Sequence, residues 1–139
     1  MCSNYQDYRA LLEKAYSKLP QHVEAYERFI VPRPDVRQVG RKTIVLNFKA
    51  ICDQLRRDPD HLLKFLTGEM ATLATFDGNR AIFQGKFGSE TISSLLRIYT
   101  EKYVICPVCK RPDTHLERQK RLWFMVCEAC GARSSIGTG

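Results

Sequence analysis

No apolar run in this 139-residue chain approaches the roughly 18 residues a membrane-spanning helix needs, and Met1 is not followed by a basic start and an apolar signal core. The expectation is a soluble, cytoplasmic chain with no membrane partner. Catalytic signatures are lacking as well: there is no H-E-x-x-H, no G-x-S-x-G and no paired-carboxylate pattern. The segment from Gly78 to Lys86 faintly resembles a phosphate-binding loop. It fails because six residues rather than four separate its glycines and Phe87 stands where a magnesium-binding hydroxyl belongs. His22, His61 and His115 are scattered and join no nucleophile-and-base constellation, so each reads as an ordinary surface or core residue. An enzyme is not expected. Cysteine is present six times, but reducing cytosol disfavours a disulfide framework, and a metal site is the better reading.

What the chain does contain is enough apolar material for a core, 44% hydrophobic and 10% aromatic against 27% charged. The net charge of +7 is uneven. Residues 1–32 carry four basic and four acidic groups, residues 33–103 twelve and eight, and residues 104–139 six and three. A basic excess in the last two blocks favours polyanions such as RNA, although basic residues also simply solvate ordinary faces.

The first block places Tyr5, Tyr8, Leu11, Leu12, Ala15 and Tyr16 at spacings of three and four, the period of an amphipathic helix, which Pro20 ends. An isolated helix of about 15 residues is marginal in water. Its stripe needs a surface, either a partner or the chain's own core. Residues 21–36, with Pro32 and Pro34, read as a linker. Residues 37–103 read as an α+β domain. Thr43-Ile-Val-Leu46 is a strand, and Asn47 caps a helix carrying Phe48, Ile51, Cys52 and Leu55. Asp58-Pro59 starts a second helix that ends near Gly68. Residues 71–76 and 80–84 flank an Asp-Gly-Asn turn as a hairpin, and Ser89 caps a third helix with Ile92, Leu95, Leu96 and Tyr99.

Residues 104–139 contain Cys106-Pro-Val-Cys109 and Cys127-Glu-Ala-Cys130 with 17 residues between the pairs. Two C-x2-C pairs at this distance are the pattern of a structural zinc site, because each pair can turn two thiolates toward one ion at about 2.3 Å. Four thiolates leave no open position, so the single zinc holds shape and does no chemistry. Gly131 suits the knuckle turn. Residues 114–118 and 122–126 read as a hairpin, giving a zinc ribbon, with Trp123 in its small core. Cys52 reads as a core residue and Cys2 as a bystander. Lys110, Arg111, Arg118, Lys120 and Arg121 are candidate RNA contacts.

These parts in this order resemble the beta subunit family of translation initiation factor 2 in its short archaeal form. The resemblance rests on Thr43-Ile-Val-Leu-Asn-Phe48, Arg57-Asp-Pro-Asp-His-Leu-Leu-Lys-Phe65, Gln84-Gly-Lys-Phe87, Cys106-Pro-Val-Cys109 with Pro112-Asp-Thr114, and Cys127-Glu-Ala-Cys-Gly-Ala132. The amino-terminal part of initiation factor 5 shares such blocks, but it lacks the leading helix and adds a helical domain missing here. The resemblance implies a heterotrimer in which a GTPase, the gamma subunit, binds initiator methionyl-tRNA together with the alpha subunit and delivers it to the small ribosomal subunit. It also implies that residues 1–20 dock on gamma through the stripe named above. The alternatives are a free-standing zinc-ribbon protein that binds RNA and, more weakly, a transcription-type ribbon on DNA.

Overall fold

The computed structural model describes the backbone of residues 4–18 and 29–137, with side chains from Asp7 onward. Cys2, His22, the side chain of Tyr5 and residues 21–28 of the expected linker lie outside the described residues. The chain divides into two compact units, Met1–Ile30 and Val31–Gly139.

The first unit contains α1 (Asn4–Lys18). Pro20, the stop expected from the sequence, lies outside the described residues. Tyr8, Leu11 and Tyr16 are 61%, 65% and 67% exposed, so the apolar stripe is uncovered.

In the second unit, β1 (Val36–Val39), β2 (Lys42–Val45), β3 (Ala74–Phe76) and β4 (Ala81–Gln84) form an antiparallel sheet in the order β1-β2-β4-β3. Thr43 lies opposite Phe83 and Val45 opposite Ala81. These four therefore share one face and are buried there. That face meets the apolar stripes of three helices. Phe48, Ile51, Cys52 and Leu55 come from α2 (Phe48–Leu55), Leu62 and Leu66 from α3 (Pro59–Met70), and Ile92, Leu96 and Tyr99 from α4 (Ser89–Tyr103). Fully burying such a side chain stabilises by about 1.5–3 kcal/mol. The one hydroxyl among the buried sheet residues, on Thr43, donates to the Gly85 carbonyl at 2.6 Å and accepts the Phe87 N–H at 3.0 Å. Gly85 is at φ 133, and a Cβ there would come within 2.8 Å of the Phe87 ring; only glycine fits.

The α+β class and the three core helices agree with expectation, and four details differ. Strand β1 was not anticipated. Asn47 occupies the position before α2 without capping it. Its Oδ1 instead accepts the Asp35 N–H and its Nδ2 donates to the Arg33 carbonyl, both at 2.8 Å, which pins the entry to β1. Helix α3 runs through Gly68 to Met70 and closes on Ala71 in the left-handed region. Ser89 is the first residue of α4, and Gly88 occupies the cap position. Asp58 does cap α3, its side chain accepting the Asp60 N–H at 3.1 Å, with Pro59 at the first helical position.

The carboxy-terminal part is a second antiparallel sheet of β5 (Thr114–Gln119), β6 (Leu122–Cys127) and the unanticipated β7 (Arg133–Gly137), in that order. It is joined to the core through Arg57, only 5% exposed. The Arg57 guanidinium donates to the Tyr103 carbonyl from Nη2 at 2.6 Å and from Nε at 3.1 Å, and to the Thr114 carbonyl from Nη1 at 2.8 Å. Nη2 also reaches Thr114 Oγ1 at 2.6 Å, and that hydroxyl in turn donates to the Val104 carbonyl.

Candidate metal centre

Each cysteine pair sits in a turn built the same way. The Cys106 carbonyl accepts the Lys110 N–H at 2.8 Å and the Cys127 carbonyl accepts the Gly131 N–H at 3.0 Å. The Cys106 N–H donates to the Arg111 carbonyl at 3.0 Å and the Cys127 N–H to the Ala132 carbonyl at 2.9 Å. The residue after each pair must be left-handed: Gly131 is at φ 72 and Lys110 at φ 56. Gly131 takes this conformation without strain, whereas Lys110 pays for its Cβ. Lys110→Gly is therefore expected to stabilise the metal-loaded chain by about 0.5–1 kcal/mol. Thermal unfolding at saturating metal checks this, and an unchanged or lower midpoint counts against it.

The two turns bring the four sulfurs within 4.8 Å of one another. Cys106 Sγ lies 3.6 Å from Cys130 Sγ and Cys109 Sγ 3.5 Å from Cys127 Sγ. A disulfide requires about 2.05 Å, and all four are free thiols. Four sulfurs at about 2.3 Å from one tetrahedral ion would be about 3.8 Å apart, so the cluster fits a metal ion of that kind. Protonation is uneven within it. Burial raises Cys106, but the N–H groups of Cys109 and Val108, together with the Cys130 and Cys109 side chains, outweigh it and hold the thiol down to about 7. Cys109 receives the Arg111 N–H, yet desolvation and its sulfur neighbours Cys127, Cys130 and Cys106 push it up to about 12. Four thiols this close need a cation before all can ionise. Cys52 is not part of the cluster; it is fully buried, and raised to about 12 chiefly by that burial, then by Asp53 and Asp58. It is a core residue, as expected.

The five basic residues proposed from sequence fall into two sets. Lys110 and Arg111 flank the first cysteine turn, while Arg118, Lys120 and Arg121 belong to the far end of the β5–β6 ladder, where Gln119 pairs with Leu122. All five are exposed. Trp123 is not interior to the ribbon. It is half-buried against the core domain, 5.3 Å between centroids from His61, with the Arg118 guanidinium 5.8 Å over its ring. His61, read from sequence as an ordinary residue, is buried at this junction and its Nδ1 lies 2.8 Å from the Tyr99 hydroxyl. Burial, followed by the Arg57 charge, lowers the His61 pKa and keeps the ring neutral. Nothing in the sequence around Arg57 or His61 marks either as a junction residue. The partners lie 57 positions away in one case and 62 in the other, and no local signal carries such a contact.

An α+β core joined to a three-stranded ribbon, with four clustered cysteines that could hold a metal ion, defines a protein of the zinc-ribbon class. The family model for a domain found in initiation factors 2B and 5 matches residues 20–133. The chain is 43% identical over 130 residues to translation initiation factor 2 subunit beta of Methanopyrus kandleri, covering 94% of both chains. It is likewise 43% identical to the proteins of that name from Methanothrix thermoacetophila and Methanosarcina mazei. There the match covers 94% of this chain but 63% and 64% of theirs, so the chain spans just under two thirds of those relatives. The chain belongs to the translation initiation factor 2 subunit beta family. No helix among the described residues is long and apolar enough to cross a membrane.

Proposed function

We propose that the chain works as a non-catalytic, cytoplasmic subunit of an initiation heterotrimer. Within it, residues 1–20 dock on the GTPase (gamma) subunit, residues 21–36 tether, and the α+β domain (37–103) and ribbon (104–139) act near nucleotide and tRNA. The alpha subunit, initiator methionyl-tRNA and the small ribosomal subunit are met through the complex. One zinc ion, held by Cys106, Cys109, Cys127 and Cys130, keeps the ribbon's shape, and the five basic ribbon residues face RNA. Family membership supports the assembly, and the observation that carries the anchor is the uncovered stripe of α1. Four residues of one helical face, Tyr8, Leu11, Leu12 and Tyr16, are exposed large apolar groups, and an amphipathic helix laid in a groove is a recurring mode of recognition.

Calorimetric titration of the chain into the GTPase subunit tests this. Truncation of residues 1–20, or Tyr8→Ala with Leu12→Ala, is expected to abolish binding, since buried anchors of this kind contribute about 2 kcal/mol or more each. Metal content should be unchanged. Full-strength binding by the double variant would sink the anchor. Salt-sensitive RNA binding by the chain with no affinity for the GTPase would favour a free-standing RNA-binding ribbon instead.

A further inference from the structure

The junction between core and ribbon encloses a cavity of about 370 Å³, inside the range of about 300–1,000 Å³ typical of ligand sites. Its walls are aromatic: His61 and Phe65 of α3, Tyr103 at the end of α4, and Trp123 of β6. The rings stand edge to face, with centroids 5.2 Å apart for His61 and Tyr103 and 5.6 Å for Phe65 and Tyr103. Lys64 and Arg118 line it together with Asp58, Asp60 and Glu69. Two cations against three carboxylates make the lining net negative on a chain whose net charge is +7. A phosphate is therefore unwelcome inside. Just beyond, the two-residue turn of the β5–β6 hairpin is Lys120-Arg121, both exposed and, among the described residues, in no ion pair.

We infer that this cavity is a slot for a single unpaired RNA base carrying an exocyclic amino group, with the backbone phosphates held outside by Lys120 and Arg121. The inference rests on the RNA-facing reading of the ribbon and names the site by which it acts. The aromatic walls supply the stacking surface that single-stranded RNA recognition uses. The Asp60 and Glu69 carboxylates accept N–H donors, as carboxylates do from the amino group of cytosine, and repel the carbonyl edge of uracil. An arginine from a protein partner fits less well, because Arg118 already covers the Trp123 face and Lys64 stands beside it. A flat neutral ring meets no such repulsion and stacks on the Arg118 guanidinium plane.

Trp123 is the chain's only tryptophan, so its emission reports the slot directly. Single-stranded hexamers of A, C and U are titrated into the full metal-loaded chain. The A and C hexamers should quench Trp123 and bind more tightly than U. Of Glu69→Gln and Asp60→Asn, both at exposed positions, at least one should weaken A and C by roughly tenfold and erase the preference over U. Lys120→Ala with Arg121→Ala should weaken all three alike and flatten the salt dependence by about 1.4 in log–log slope. Binding that leaves Trp123 emission unchanged, or a preference that survives both carboxylate variants, overturns the slot and leaves RNA on the hairpin alone. Quenching by N-acetylarginine amide but not by RNA overturns it in favour of a protein side chain. If the slot fails while residues 1–20 still bind the GTPase, the heterotrimer reading stands; if both fail, that reading goes with it.

Discussion

Chelation of the metal-loaded chain is expected to unfold the ribbon while the core domain stays folded. Among the described residues from Thr114 to Gly137, the buried apolar groups are Met125 and the Cys127 side chain. One buried methionine stabilises by about 1.5–3 kcal/mol, against about 1–2 kcal/mol of backbone entropy for every ordered residue. Three short strands cannot stand on that. Metal binding, about 10–16 kcal/mol in zinc-finger peptides, is large enough to close the difference. The core keeps its own set, with Phe48, Phe83, Leu62, Leu66, Ile92 and Leu96 all at most 1% exposed. Amide NMR spectra with and without chelator should show the signals of β5, β6 and β7 collapse to unfolded positions while those of α2, α3 and α4 persist. Trp123 emission should shift to the red as its ring leaves His61. Cys127→Ser should reproduce the effect and Cys52→Ser should not. Ribbon amides that stay dispersed in chelator would show that the sheet stands without the ion.

The parts of this molecule legible in sequence are those set by neighbours within a few positions. Asp58-Pro59 announced α3 because a cap and a pre-set φ act locally, and the cysteine turns were legible because a ligand pair two residues apart is itself a local geometry. Strands β1 and β7 escaped notice for the converse reason. Val36-Arg-Gln-Val39 and Arg133-Ser-Ser-Ile-Gly137 are edge strands with mostly exposed or half-exposed residues. They are strands because β2 and β6 offer them hydrogen bonds, not because of their own alternation. Asn47 shows how a cap residue is diverted: its amide found two backbone partners in the chain entering β1. Trp123 shows how a single aromatic is misplaced. Its size argued for the ribbon's interior, but β6 presents it to His61 of α3, on the same strand face as the buried Met125 two positions on.

Arg57→Met should loosen the ribbon from the core and lower the stability of the second unit by about 3 kcal/mol. The guanidinium is buried among carbonyls, with no carboxylate bonded to it among the described residues. Desolvation lowers its pKa. Only a fixed, planar, five-donor group can reach the last turn of α4 through Tyr103 and the start of β5 through Thr114 at once. Methionine fills the volume and donates nothing. The carbonyls of Tyr103 and Thr114 are then left without these donors, at about 1–3 kcal/mol for each that stays buried and unsatisfied. Arg57→Lys should recover little, since an ammonium on a flexible stem cannot serve both carbonyls and Thr114 Oγ1 in the same geometry. Thr114→Val removes the same hydroxyl from Arg57 and from the Val104 carbonyl, so the double variant should cost less than the two single changes added together. Denaturant unfolding reads the stability. Residual dipolar couplings read the orientation, which should average between core and ribbon in Arg57→Met and stay single-valued in the parent. Metal content should not change, because Arg57 donates to none of the four cysteines in the structure. A variant that lost its metal, or that kept both stability and a fixed ribbon orientation, would show that Arg57 is not what joins the two sheets.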